Sequence, residues 1–233
     1  MLYTLESARA NIRNRDGKRV FFLGKADQLT SEARDYLSRE RVEIRPAETA
    51  KIGTYRLLNG AQLSEKPEHM THLFGDVLVT KSHPRIGFRG AMDTLEAELL
   101  LCQLYVPAHR KELEEILTLA RNLIRWEVMG EPVEDGLLCG LTAQQLRQRS
   151  HFPQEYYGQP HFMPAVQDGA AVLWLNRARC AARQAELRAV DAFLDMDGNP
   201  VRKDILQVLN RMSSALYLLM IQEKSKAGTH SRQ

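Results

Sequence analysis

Cysteine is scarce in this chain. Cys102, Cys139 and Cys180 are scattered, and none belongs to a Cys-x-x-Cys pair. An odd, sparse count argues against a disulfide scaffold and suits a reducing compartment. Long apolar runs are also missing: none approaches the roughly 18 residues of a membrane span. The first residues lack a basic stretch followed by an apolar core, so no secretory signal is read. The expectation is a cytoplasmic protein with no membrane partner. Charge of one sign is lacking too, with a net charge of +3 over 233 residues. Nucleic-acid binding is therefore not indicated, and any anion site must be a local cluster.

What is present suits a packed core. Hydrophobic residues make up 44% and charged residues 26% of the chain, as in ordinary globular domains. Residues 1–50 read as a small α/β module. Thr4 to Asn14 is helix-like, Asp16-Gly17 is a turn, and Arg19 to Leu23 is a short strand. Thr30 can cap a helix from Ser31 to about Arg41, and Val42-Glu43-Ile44 alternates as a strand. Residues 51–70 read as a linker or loop, 71–226 as a helical domain, and 227–233 as a tail. Helical periodicity marks 91–106, 108–130, 141–150, 168–195 and 201–226. In the last of these, Ile205, Leu209, Met212, Leu216 and Leu219 recur at helical spacing, which is a core stripe. The fold class expected is mainly α, an antiparallel helical bundle with a small N-terminal α/β module. The connection over 131–167, punctuated by Pro153, Gly158, Pro160 and Pro164, reads as a wall or lid.

Three stretches carry chemistry. In the first, the apolar run Val77 to Val79 leads into a basic loop with Lys81, Arg85 and Arg89. Pro84, Gly87 and Gly90 keep this loop irregular, and a helix follows with Gly90 as N-cap and Asp93 in its first turn. A cationic loop at a helix N-terminus can hold phosphate; the competing reading is a plain strand-to-helix connection. In the second stretch, Arg179, Arg183 and Glu186 lie at i, i+4 and i+7, on one helical face within about 60°. Val172, Leu175 and Val190 fall on the same line, so three charges interrupt an apolar stripe, and the alanines at 178, 181, 182, 185 and 189 allow close helix approach. This face is either a solvated ion-pair surface or a grip for an anion. In the third, Asn210 and Arg211 fall within the most apolar helix. Arg211 either points to solvent or meets an anion or carboxylate.

Lys-Ser-His-Pro-Arg-Ile-Gly-Phe-Arg-Gly-Ala-Met-Asp (81–93) resembles the Lys-x-x-Pro-Arg-x-x-(Tyr/Phe)-x-Gly-x-x-Asp signature of ATP:cob(I)alamin adenosyltransferases, ethanolamine-utilisation type, which is related to the propanediol-utilisation type. Phe162-Met163-Pro164, the Arg179-x3-Arg183-x2-Glu186 helix and Leu209-Asn210-Arg211-Met212-Ser213 follow in the family's order. The resemblance implies transfer of the 5′-deoxyadenosyl group of ATP, with Mg²⁺, to cobalamin as substrate. It implies ATP contacts from Thr80, Lys81, Arg85, Arg179, Arg183, Glu186, Asn210 and Arg211, with Arg183, Arg179 and Asp93 as the catalytic set. Phe152 or Phe162 would shield the cobalt face. It also implies a homo-oligomer, a trimer with a dimer as the alternative, that shares nucleotide sites between protomers.

Two departures from that pattern matter. The propanediol type carries a Thr-Gly-Asp-Lys-Gly-like phosphate loop upstream, where this chain has Thr71-His72-Leu73-Phe74-Gly75-Asp76. Some ethanolamine-type members carry a His and three Cys metal cluster; residues 46–80 here contain no cysteine. No metal is therefore assigned, although His69 and His72 on one helical face, with His83 nearby, are the residues that would substitute. Leu29 to Leu37 resembles N-terminal modules of microcompartment-associated proteins, which suggests microcompartment components as partners. The rival readings are a noncatalytic cobalamin carrier or microcompartment adaptor, and a purely structural helical oligomer.

Overall fold

The computed structural model of the chain describes residues 2–15, 18–46, 55–134 and 136–230. The turn read at Asp16-Gly17 lies outside them, as does part of the linker. Contacts divide the chain into two units, Met1–Pro67 and Glu68–Gln233.

The first unit is α/β. Its elements are β1 (Leu2–Tyr3), α1 (Leu5–Ala10), β2 (Arg13–Arg15), β3 (Lys18–Leu23), β4 (Gln28–Leu29), α2 (Ser31–Arg39), β5 (Glu43–Pro46), β6 (Tyr55–Leu57) and β7 (Gln62–Leu63). Strand β3 pairs antiparallel with β2 and parallel with β5, and β1 pairs parallel with β4. The helix expected to run to Asn14 stops at Ala10, because residues 13–15 are taken up by pairing with β3. Ala8, Phe21, Ala33 and Leu37 form a fully buried core, and Tyr3 meets Phe21 edge-on at 5.1 Å. The Thr30 hydroxyl caps α2 by accepting the Ala33 N–H at 3.3 Å. Within the stretch read as a linker, β6 and β7 form a small antiparallel hairpin, with Gly60 at φ 84 in its turn.

The second unit opens with the hairpin β8 (Met70–Phe74) and β9 (Val77–Thr80), then becomes helical. Its helices are α3 (Pro84–Tyr105), α4 (Arg110–Met129), α5 (Ala143–His151), α6 (Pro153–Tyr157), α7 (Gly169–Phe193) and α8 (Lys203–His230). The paired contacts run in opposite senses: Glu96 with Arg121 and Glu127 with Arg85 join α3 to α4, while Cys102 with Trp174 and Phe88 with Phe193 join α3 to α7. Glu186 with Asn210 and Asp168 with Lys224 do the same for α7 and α8. The result is the antiparallel bundle that the periodicity predicts. Phe88, Met92, Leu95 and Leu99 of α3, Leu113 and Ile116 of α4, Leu175 of α7, and Leu209, Met212 and Leu216 of α8 are all fully buried. Burial of each such large side chain contributes about 1.5–3 kcal/mol.

One boundary differs in a way that changes the site. Helix α3 begins at Pro84, two turns before the expected Gly90 start. Proline is favoured at the first helical position because its missing N–H costs nothing there. His83 is the N-cap, and its Nδ1 accepts the Arg85 N–H at 3.2 Å. Arg85, Gly87, Arg89 and Gly90 are therefore helical, and no glycine-marked basic loop exists at that point.

Candidate functional site

Helices α7 and α8 bring two polar lines together. On α7 the buried stripe is Val172, Leu175, Ala178, Ala182, Ala185 and Ala189. Arg179, Arg183 and Glu186 each follow a buried alanine by one position. They are thus turned about 100° from the stripe, and they edge it instead of interrupting it. On α8, Asn210, Ser213, Ser214 and Tyr217 recur at i, i+3, i+4 and i+7 along the rim of the apolar face. Arg179, Arg183 and these four residues line a cavity of about 340 Å³, and Ser150 and His151 of α5 and His161 of the following connection complete its wall. The 131–167 stretch does form a wall here. It is pinned to α8 by Tyr157 O accepting from Ser225 Oγ at 3.3 Å and by the Asp168–Lys224 ion pair.

Among the described residues, no carboxylate lines this cavity. Arg179 is steadied by Asn176 Oδ1, which accepts from its Nε and Nη2 at 3.2 and 3.0 Å, and by the Tyr217 ring, 6.0 Å from the guanidinium carbon. Arg183 is exposed, and among the described residues no carboxylate pairs with it. Glu186 sits beside the cavity and accepts from Asn210 Nδ2 at 3.2 Å, which fixes the amide's orientation. Burial pushes the Tyr217 phenol up from its usual range, opposed by the Phe162 backbone bond and by Arg179. Arginine guanidinium groups, an amide and hydroxyls suit a polyanion.

The other predicted contacts lie elsewhere. Arg85 and Arg89 clamp Glu127 of α4, whose side chain is fully buried. Arg85 Nε donates to one carboxylate oxygen, Arg89 Nε to the other at 2.8 Å, and Arg89 Nη2 to the Leu73 carbonyl at 2.7 Å. Lys81 Nζ donates to Glu68 Oε1 at 3.1 Å, and Thr80 Oγ1 lies 3.0 Å from Ser82 Oγ. Asp93 is exposed in the third turn of α3, not the first. Arg211 is half-buried on α8 and does not line the cavity. Phe162 packs on the bundle core with Lys224 Nζ 5.5 Å from its ring centre, while Phe152 is 53% exposed between α5 and α6.

The histidine substitution for a metal cluster lacks its geometry. His72 lies in strand β8 and His69 just before it, so the helical face that would join them is not formed. His72 Nδ1 is 3.0 Å from the Gly75 carbonyl, and burial together with Arg85 and Arg89 holds His83 below the usual imidazole range. Among the described residues, no three His, Cys, Asp or Glu side chains gather as a metal site. Burial pushes the Cys102 and Cys139 thiols up to about 12, so neither is a ready thiolate. No helix among the described residues is long and apolar enough to cross a membrane.

Sequence reasoning missed His151, His161, Ser150, Tyr217 and Glu127. The polar spacing of Asn210, Ser213, Ser214 and Tyr217 was a usable signal, and His161 directly precedes Phe162-Met163-Pro164. Glu127 continues the apolar register of Ile116, Ala120 and Leu123 on its helix, so its burial was signalled, though the identity of its partners was not.

The fold and the cavity together define a helical bundle with an arginine-lined cavity between its last two long helices. The sequence profile of the cobalamin adenosyltransferase family matches residues 61–223. The corrinoid adenosyltransferase EutT of Escherichia coli K12 is 33% identical over 165 residues, covering 70% of this chain and 62% of that protein. Its Salmonella typhimurium LT2 counterpart is 34% identical over 163 residues, covering 70% of this chain and 61% of that protein. The matched stretch spans less than two thirds of the length of these relatives. No solved structure matches the chain. The chain belongs to the cobalamin adenosyltransferase family.

Proposed function

We propose that the chain transfers the 5′-deoxyadenosyl group of ATP to cob(I)alamin, giving adenosylcobalamin and triphosphate, in the service of ethanolamine utilisation. The observation that carries this reading is the convergence of Arg179, Arg183 and Asn210 on one cavity that no carboxylate lines among the described residues. Family membership and the corrinoid adenosyltransferase relatives support it. In the reaction, the electron pair of the reduced cobalt forms a bond to the ribose C5′. The C5′–O bond breaks, and its electrons leave with triphosphate. Reduced cobalt is already a strong nucleophile, so the protein's work is positioning and stabilisation of the departing charge. Arg183 and Arg179 grip phosphate oxygens, and Asn210, oriented by Glu186, holds the nucleotide. With no acid among the described residues that line the cavity, these residues do not fit a protein-held Mg²⁺, which would accompany ATP as its phosphate counter-ion. Phe162 and Phe152 are the candidates for the corrin side.

The nucleotide site is shared between copies of the chain in a homo-oligomer, a trimer with a dimer as the alternative. Thr80, Lys81, Arg85 and Asp93 do not line the α7–α8 cavity, which supports a site completed by a second copy. A groove between α3 and α7, walled by Gly87, Gly90, Ala91 and Ala181, leaves room for that copy to approach. The cytoplasm, or a bacterial microcompartment within it, is the proposed setting.

The test is turnover. Purified protein, chemically reduced cobalamin, ATP and Mg²⁺ should yield the light-sensitive Co–C product without added zinc, iron or cobalt salts. Corrinoid binding with no ATP dependence and no product would instead make the protein a carrier.

A further inference from the structure

The imidazole and hydroxyl wall of the cavity has a hydrogen-bond order of its own. His161 Nε2 lies 3.1 Å from the carbonyl oxygen of His151. A carbonyl only accepts, so Nε2 carries a proton. Nδ1 lies 2.8 Å from the Tyr217 hydroxyl. In the neutral ring Nδ1 is bare and accepts, so Tyr217 spends its O–H on the ring. Protonation of His161 reverses the imidazole bond. Nδ1–H then donates to the Tyr217 oxygen. The phenol proton is released, and Tyr217 lines the cavity.

Resting on the reading of this cavity as a triphosphate site, we infer that His161 and Tyr217 are a proton-coupled donor for the bound anion. Triphosphate entry favours protonation of His161, which turns the Tyr217 O–H onto a phosphate oxygen. The groups facing the imidazole set the sign. Arg179 and Arg183 of α7 and His151 of α5 share the cavity, and Lys224 of α8, beside Phe162, is paired with Asp168. Glu186 of α7, beside the cavity, accepts from Asn210, and a polyanion bound among these cations favours the charged imidazole. One proton is taken from solvent on binding and returned on release. Linkage is reciprocal, so lowering the pH tightens triphosphate binding by the same factor.

Calorimetric titration of inorganic triphosphate tests this at about pH 8 and about pH 6, across the range where imidazoles titrate. The proteins are the parent, His161→Gln and Tyr217→Phe, the last of which keeps the ring beneath Arg179. The readout is the ratio of affinities at the two pH values. Comparison between proteins cancels the ligand's own protonation and that of His151. The parent's ratio should exceed that of each variant by roughly three- to tenfold, as expected for one added charge-assisted hydrogen bond. Equal ratios in the parent and Tyr217→Phe overturn the inference, as does a uniform loss of affinity at both pH values. Absence of saturable binding by the parent at either pH overturns the triphosphate reading itself.

Discussion

Two arginine pairs in this bundle, each spaced one helical turn apart, have opposite surroundings. Arg85 and Arg89 on α3 close on Glu127, whose side chain is fully buried, and on backbone carbonyls of β8. Arg179 and Arg183 on α7 face a cavity lined by an amide, hydroxyls and imidazoles and, among the described residues, by no acid. The first pair is internally neutralised and ties the β8–β9 hairpin to the bundle. The second is left to attract charge from outside. Identical spacing on a helix therefore does not distinguish a structural clamp from a binding site; the location of the counter-charge does.

The largest expected effect comes from breaking the internal clamp. Glu127→Gln removes the charge that both Arg85 and Arg89 address, and it leaves two guanidinium groups crowded without compensation. Loss of one partner of a buried charge network costs about 3–5 kcal/mol. Thermal unfolding should show a fall in Tm of roughly 6–20 °C, by the scaling of about 2–4 °C per kcal/mol for a chain near this size. A near-parental Tm would mean that Glu127 does not hold the hairpin.

A smaller, pH-dependent effect sharpens the contrast at the cavity's outer wall. Lys224 beside Asp168, and then the Ala165 N–H, hold the Asp168 carboxyl below the usual carboxylate range. A lowered folded pKa contributes stability that is present above the unfolded value, about 3.9, and is lost as pH falls through the folded value. Asp168→Asn should therefore lower Tm at neutral pH, and the gap from the parent should close in acid. A gap that persists unchanged to about pH 2 would assign the loss to packing, not charge.

Much of the bundle was legible in the sequence because its helices bury one stripe each, and stripes such as Leu209-Met212-Leu216 declare themselves by period. The Arg179, Arg183 and Asn210 convergence was legible only through motif resemblance, since spacing alone fits a solvated surface equally well. The start of α3 was misread because glycine was weighted above proline: Pro84 marks the first turn, while Gly87 and Gly90 sit inside the helix on an open groove. That error placed Arg85 in a loop, whereas it lies in the first turn of α3 and pairs with Glu127, 42 positions away on another helix. Cross-helix pairing of this kind has no local signature. His161 was hidden for the same reason, because its role depends on Tyr217, 56 positions later.

The central claim is that the α7 pair awaits the phosphates of ATP, and one titration tests it most directly. ATP with Mg²⁺ is titrated calorimetrically into the parent, Arg183→Ala and Arg183→Lys, with Arg121→Ala as a control at an exposed ion pair with Glu96. Loss of a charge-assisted phosphate contact of about 2–4 kcal/mol should weaken binding by roughly thirty- to a thousandfold in Arg183→Ala. Arg183→Lys should recover only part of this, because an ammonium cannot reproduce the guanidinium's paired donors, and Arg121→Ala should bind as the parent does. If all four proteins bind ATP alike, or the parent shows no saturable binding, the α7 pair is ordinary surface and the account is wrong.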